Sequence, residues 1–218
     1  MSVRTSIDIL VESVESSMIL MIGESGTAKE EMAFRFVEDG FKKEENVIAV
    51  LFAHSATDYL EELRKRDEKN ETYLNKGQLN IIDAISYRSV PEEKPPKTFY
   101  LDNANDLLTL SVTLNEQSKK ASKLRIVFDQ LALLTLYNEP MQVLNFLQTL
   151  AARIRGRKQS AMLLLDSGVI DEQTEKTLHT IVDILAESKR TDEPTGPQQL
   201  VRIKFANNQY EPRWVQVV

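Results

Sequence analysis

The 218-residue sequence has no cysteine and only two histidines, His54 and His179. The missing thiols exclude disulfides, thiolate catalysis and thiolate metal sites together, and two imidazoles are too few for a histidine-rich metal cluster. Such a chain fits a reducing compartment. An excess of basic charge is also missing: 27 Lys and Arg against 33 Asp and Glu leave a net charge of -6, which argues against a large nucleic-acid footprint. No apolar run approaches the roughly 20 residues that span a bilayer. Residues 1–8 hold no basic segment leading into an apolar stretch. Together these absences point to a cytoplasmic protein without a membrane span.

What is present is enough apolar material for one sizeable core, 42% of the chain, and the length suits a single domain over residues 1–218. No internal repeat divides it. Short apolar runs alternate with longer amphipathic stretches, the pattern of strand and crossover helix in a mostly parallel sheet. Strands are expected at 18–22, 47–52, 79–82, 124–128 and 161–165. Helices are expected from the loop after 22 through about 41, over 61–70 with a cap at Thr57 or Asp58, and over 102–120, 141–155 and 171–186. Residues 91–96 and 190–197 read as polar, proline-containing loops, and 200–205 with 214–218 as an antiparallel pair at one sheet edge.

The first expected strand runs directly into Gly23, Glu24, Ser25, Gly26, Thr27, Ala28, Lys29 and Glu30. A phosphate-binding loop has a Gly, four free residues, Gly, Lys and then Ser or Thr. Its backbone N–H groups cradle phosphate, its Lys reaches the outer phosphates and its hydroxyl holds Mg²⁺. Gly23 and Lys29 match that pattern. Ala28 puts a methyl group where the second Gly belongs, and Glu30 puts an anion where the hydroxyl belongs. At about 4 Å, two unit charges interact by roughly 4 kcal/mol at an effective dielectric near 20. Half of that repulsion weakens nucleotide binding by more than about tenfold. Glu30 can instead hold metal directly, or Lys29 can be neutralised by Glu24, Glu30 or Glu31 as a structural ion pair.

A second apolar strand, 124–128, closes on Asp129. This is the form of the element whose carboxylate orients Mg²⁺ from a strand's C-terminal edge; an acid after a buried strand also serves plainly as a helix cap. The cations Arg153, Arg155, Arg157 and Lys158 suit nucleic acid or an arginine finger onto a neighbouring subunit's phosphates, or, more plainly, the last turn of a helix stopped near Gly156.

In order and spacing the chain resembles the KaiC-like branch of the RecA superfamily of ATPases over nearly its full length. The resemblance is carried by the 23–30 loop, the run Gly77-Gln78-Leu79-Asn80-Ile81-Ile82-Asp83-Ala84, the strand to Asp129, the segments 166–168 and 171–174, and the ending 210–214. It implies a RecA-like α/β fold, ATP with Mg²⁺ as ligand, and self-association into a ring, with Lys189, Arg190, Arg202 and Lys204 facing a neighbouring subunit. It also implies one or two Glu residues just after the second strand, to activate water. This sequence has Phe52-Ala53-His54-Ser55 there. His54 stands near the missing base, and an imidazole can polarise water. Its plainer role is a hydrogen bond to a neighbour.

The departures at Ala28, Glu30 and the 53–55 stretch touch separate catalytic parts. The expected function is therefore a non-catalytic or weakly nucleotide-binding regulatory scaffold, working through protein contacts or self-association, in signalling. One alternative is a slow ATPase or ATP-binding switch using Lys29 and Asp129. Another is a recombination accessory protein that binds single-stranded DNA, against which the acidic balance weighs.

Overall fold

Alternating side chains of the buried strands divide between two cores, and that division organises the structure. In the computed structural model, which describes residues 5–12, 16–86, 93–194, 196–206 and 212–217, strand β1 (Met18–Gly23) is buried along its whole length. Met18, Leu20 and Ile22 pack into one apolar cluster and Ile19 and Met21 into the other, the period-two pattern of a strand covered on both faces. Strands β2 (Asn46–Leu51), β3 (Leu79–Asp83), β4 (Thr98–Tyr100), β5 (Leu124–Phe128), β6 (Ser160–Asp166), β7 (Ile184–Glu193), β8 (Gly196–Ala206) and β9 (Val215–Gln216) complete a nine-stranded sheet. Its order is β4-β3-β2-β5-β6-β1-β7-β8-β9. The pairs from β4 through β7 are parallel; β8 and β9 add antiparallel. This is the mostly parallel α/β sheet with an antiparallel C-terminal edge that the sequence leads one to expect.

One face is covered by α5 (Leu107–Lys119), α6 (Leu131–Tyr137), α7 (Pro140–Arg157) and α8 (Glu172–Ile181), through residues such as Leu114, Leu134, Leu147 and Leu178. The other face is covered by α1 (Ser6–Val11), α2 (Lys29–Lys42), α3 (Ala56–Arg66) and α4 (Lys69–Asn75), with Leu10, Phe36 and Leu63 fully buried. Each such side chain contributes about 1.5–3 kcal/mol by leaving water.

Several expectations change in place. The helix expected over 171–186 ends at Ile181, because Ile184, Leu185 and Ala186 pair with β1 and are buried there as the start of β7. Of the loop expected over 190–197, residues 190–193 and 196–197 are instead paired in the antiparallel β7–β8 ladder, with Arg190 opposite Gln199 and Asp192 opposite Pro197, and residue 195 lies outside the described residues. β8 does pair with β9, at Leu200 and Val201, but its longer partner is β7. Ser55, not Thr57 or Asp58, caps α3, its hydroxyl accepting the Asp58 N–H at 3.1 Å. The helix expected at 61–70 is two, divided at Asp67. That at 102–120 begins only at Leu107, after its cap Asp106. α7 runs through Gly156, and Lys158 takes the left-handed cap at φ 55. Helices α1 and α6 and strand β4 had no counterpart in the sequence reading. Of the 91–96 loop and the 210–214 ending, residues 91, 92, 210 and 211 lie outside the described residues.

Candidate functional site

The parallel strands deliver their C-terminal ends to one edge of the sheet, where α/β folds of this kind build their sites. β1 reaches that edge at Gly23, paired with Ser188 of β7. A β-carbon on Gly23 would lie 2.0 Å from Ser188 Oγ and 2.8 Å from the Ser188 carbonyl oxygen. The close approach of the loop to β7 thus requires a glycine. The loop then turns through Gly26 at φ 75, in the left-handed region that favours glycine. Thr27 braces it: its N–H and hydroxyl both donate to the Glu24 carbonyl, at 3.3 and 2.7 Å, and its Oγ1 lies 2.6 Å from Ser188 Oγ. Gln199 from β8 donates to the Gly26 carbonyl at 3.0 Å. Glu24, Ser25 and Gly26 are exposed, whereas Gly23, Thr27, Ala28 and Lys29 are buried.

Lys29 opens α2 with its side chain 1% exposed. Its ammonium has three donors, and three oxygens lie within reach: Glu30 Oε1 at 2.6 Å, Asp166 Oδ1 at 2.7 Å and the Glu24 carbonyl at 3.3 Å. Burial works against the charge, but the Asp166 and Glu30 carboxylates outweigh it and hold the ammonium above its ordinary pKa. Lys29 is therefore a charged, internally paired group. Asp166 ends β6, and its second oxygen accepts from Gln130 Nε2 at 2.9 Å. Gln130 in turn caps α6, its Oε1 accepting the Ala132 N–H at 3.3 Å.

Asp129 follows β5 and is engaged by the segment after β2. Its Oδ1 accepts the Phe52 N–H at 2.6 Å, and its Oδ2 accepts the N–H groups of Ala53 at 3.1 Å and His54 at 3.0 Å. His54 Nδ1 lies 3.1 Å from the same Oδ2, and this contact raises the imidazole pKa above its ordinary value. The other end of the segment is held by Asp83 at the end of β3, which accepts the Ala56 N–H at 2.9 Å. Two carboxylates from the strands on either side of β2 therefore staple residues 52–56 in place. A carboxylate that accepts several N–H groups has its lone pairs committed to the backbone.

The structure thus brings Gly23, Lys29 and Glu30 to one point and Asp129 and His54 to another on the same edge. Sequence reasoning singled out Asp129 but not Asp83 or Asp166 as site residues. All three are acids closing an apolar strand, so the signal used for 124–129 was equally present in 79–83 and 161–166. Ser188 and Gln130 carried no comparable signal. The cations Arg153, Arg155 and Arg157 are tied to Ser111, Asp183 and Asn115, and Arg155 and Arg157 lie in the last turn of α7. Among the described residues, no group of three or more His, Asp or Glu is placed to hold a metal ion, and no helix is long and apolar enough to cross a membrane.

A family model described as ATPase: KaiC matches residues 8–191. Among solved structures, the crystal structure of a KaiC-like protein from the hyperthermophilic archaeon Pyrococcus horikoshii matches with a TM-score of 0.69 at 17% identity. The match covers 99% of this chain and 94% of that one. At that identity the likeness speaks for the fold. No curated protein matches the sequence.

Proposed function

The chain belongs to the KaiC family of ATPase domains, and on that premise we propose that it is a member that does not turn over ATP and acts as a protein-contact scaffold in signalling. The observation that carries this reading is Lys29, whose ammonium is already surrounded by Asp166, Glu30 and the Glu24 carbonyl. The residues present do not fit Mg²⁺-nucleotide well. A carboxylate occupies the hydroxyl position, with Glu30 Oε1 2.6 Å from the very cation that would meet phosphate. Asp129 spends its oxygens on the 52–54 backbone. Ala53 and His54 stand where a water-activating Glu would be. Phosphoryl transfer relies almost wholly on positioning and charge stabilisation, so losses at several of these points act together.

A second reading, an ATP-binding switch that uses Lys29 and Asp129, is favoured by the retained loop shape, with Gly26 left-handed and residues 24–26 exposed. Titration with ATP and ADP, with and without Mg²⁺, beside a hydrolysis assay, separates the two. The scaffold predicts no stabilisation at millimolar ATP, whereas ligand at about a hundred times its Kd adds roughly 2.7 kcal/mol. Mg²⁺-dependent turnover abolished by Lys29→Ala or Asp129→Asn would overturn it. The double variant Ala28→Gly with Glu30→Ser removes the methyl group and the anion, and is expected to raise ATP affinity at least about tenfold. Self-association, or binding to other proteins, is the expected mode of action and is checked by analytical ultracentrifugation.

A further inference from the structure

Beside the loop, on the far side of Asp166, lies a cleft of about 580 Å³ between α6 and the segment joining β6 to α8. Its walls are apolar: Leu133, Ile170 and the outward-facing Leu136 and Val169, which are 71% and 53% exposed. Helix α6 is apolar on its outer side as well as its inner one, where buried Leu131 and Leu134, with partly buried Ala132 and Leu133, attach it to the core. Its charge is of one sign. Asp166 and Asp171 line the cleft, and no cation is among its described lining residues. Asp171 stays ionised, because the Thr174 hydroxyl and N–H hold its carboxyl below the usual carboxylate range.

Two further grooves, of about 330 and 420 Å³, share walls with the cleft at Leu133 and at Leu136. The concavity is thus a track extending across α6 rather than a closed chamber, which suits a length of polypeptide better than a compact small molecule. A phosphate-bearing ligand would meet two carboxylates and no cation. A purely apolar one would leave without a complement the surplus negative charge of Asp166, Asp171 and Glu30, only part of which Lys29 balances. Asp166 Oδ1 is buried against Lys29, but Oδ2 still has a lone pair beyond the one facing Gln130, and a guanidinium is the cation that best tolerates apolar walls while donating to a carboxylate oxygen.

We propose that this track docks a short segment of a partner protein, with an arginine set against Asp166 and flanking leucine-sized side chains on Leu133, Leu136 and Val169. The assignment rests on the reading of the chain as a protein-contact scaffold, and gives that scaffold its contact point. It also couples the two sites, since Asp166 serves the cleft and Lys29 alike.

The test titrates acetyl-Leu-Arg-Leu-amide and acetyl-Leu-Glu-Leu-amide into the methyl-labelled full chain, followed by NMR. The arginine peptide is expected to give saturable shifts at the Leu133, Leu136 and Val169 methyls, and the glutamate peptide to bind at least tenfold more weakly. Leu136→Asp, at an exposed position that leaves the core intact, is expected to weaken the arginine peptide at least tenfold, and Asp166→Asn to erase the preference between the two peptides. Equal binding of both peptides, no shift up to the solubility limit, or binding unchanged in Leu136→Asp overturns the proposal, as does an oligothymidylate shifting the same methyls. A silent cleft in a chain that also fails to hydrolyse ATP sinks this docking site and leaves the scaffold reading standing. ATP turnover sinks the scaffold whatever the peptides do.

Discussion

The two ends of the sheet each bury a cation, and they use it differently. At the N-terminal edge, Arg125 of β5 is 2% exposed and bonds Glu45 and Asp39 at 2.6 Å each. It also donates to the carbonyls of Val11 and Phe36, at 2.9 and 2.7 Å, and lies 4.8 Å from the centre of the Phe36 ring. Gly40 makes room for it, since a β-carbon there would come within 2.9 Å of Arg125 Cδ. At the C-terminal edge, Lys29 is as deeply buried, but its partners Glu30 and Asp166 are 40% and 23% exposed, against 17% and 18% for those of Arg125. Arg125 is a closed knot joining α1, α2 and the entry to β2. Lys29 is a knot with one side open to water. The difference teaches that burial of a charge does not by itself mark a structural or a functional role; what matters is whether its partners remain reachable.

Arg125→Met tests the closed end hardest, since it takes the cation from Glu45, leaves Asp39 with Lys43 alone and strands the carbonyls of Val11 and Phe36. It is expected to cost about 3–5 kcal/mol in urea unfolding. At the open end the most severe change is Gly23→Ala, which drives a methyl group into Ser188 and is expected to cost about 1–3 kcal/mol. Ser188→Ala added to it should return only part, because the Ser188 carbonyl stays 2.8 Å from the new carbon.

Lys29→Met is expected to cost less, about 1–2 kcal/mol, because water can reach the carboxylates it abandons. A loss equal to that of Arg125→Met would erase the distinction between the two ends. The smallest effect belongs to His54, half exposed beside Asp129. Its pKa is raised in the folded chain, so its charged form stabilises the fold fully below the ordinary histidine value. That contribution fades as the pH rises through the higher folded value. Compared with His54→Gln, the native chain should therefore gain roughly 0.5 kcal/mol or less at pH 5.5 and nothing at pH 9, after allowance for solvent screening. A difference that grew with pH would contradict the Asp129 pairing.

Much of the fold was legible because the strands of a doubly covered sheet are short, mainly apolar runs, broken in 124–128 only by Arg125, and 18–22, 124–128 and 161–165 each fall within an observed strand. What misled was 182–197. Ile184, Leu185 and Ala186 follow helical spacing as well as strand pairing, and the polar far half of the β7–β8 ladder has no apolar run to mark it. The loop itself was readable as a pattern from Gly23 and Lys29. That Gly23 is required by Ser188, or that Gln130 orients Asp166, was not readable, because the first pair meets across more than a hundred positions of chain and the second across 36, both far beyond local spacing.

By itself, the sequence determined the kind of sheet, the place of the loop at the end of its first strand, and the absence of a Glu after the second. Local spacing suffices for these, since period and punctuation act over a few residues. Only the tertiary structure decided which acids meet which groups. The strand order β5-β6-β1 sets the ends of β6 and β1 side by side, so Asp166 falls to Lys29. The neighbouring order β3-β2-β5 turns Asp83 and Asp129 onto the backbone after β2. An acid at a strand end is the same letter in all three places; its role follows from the strand beside it.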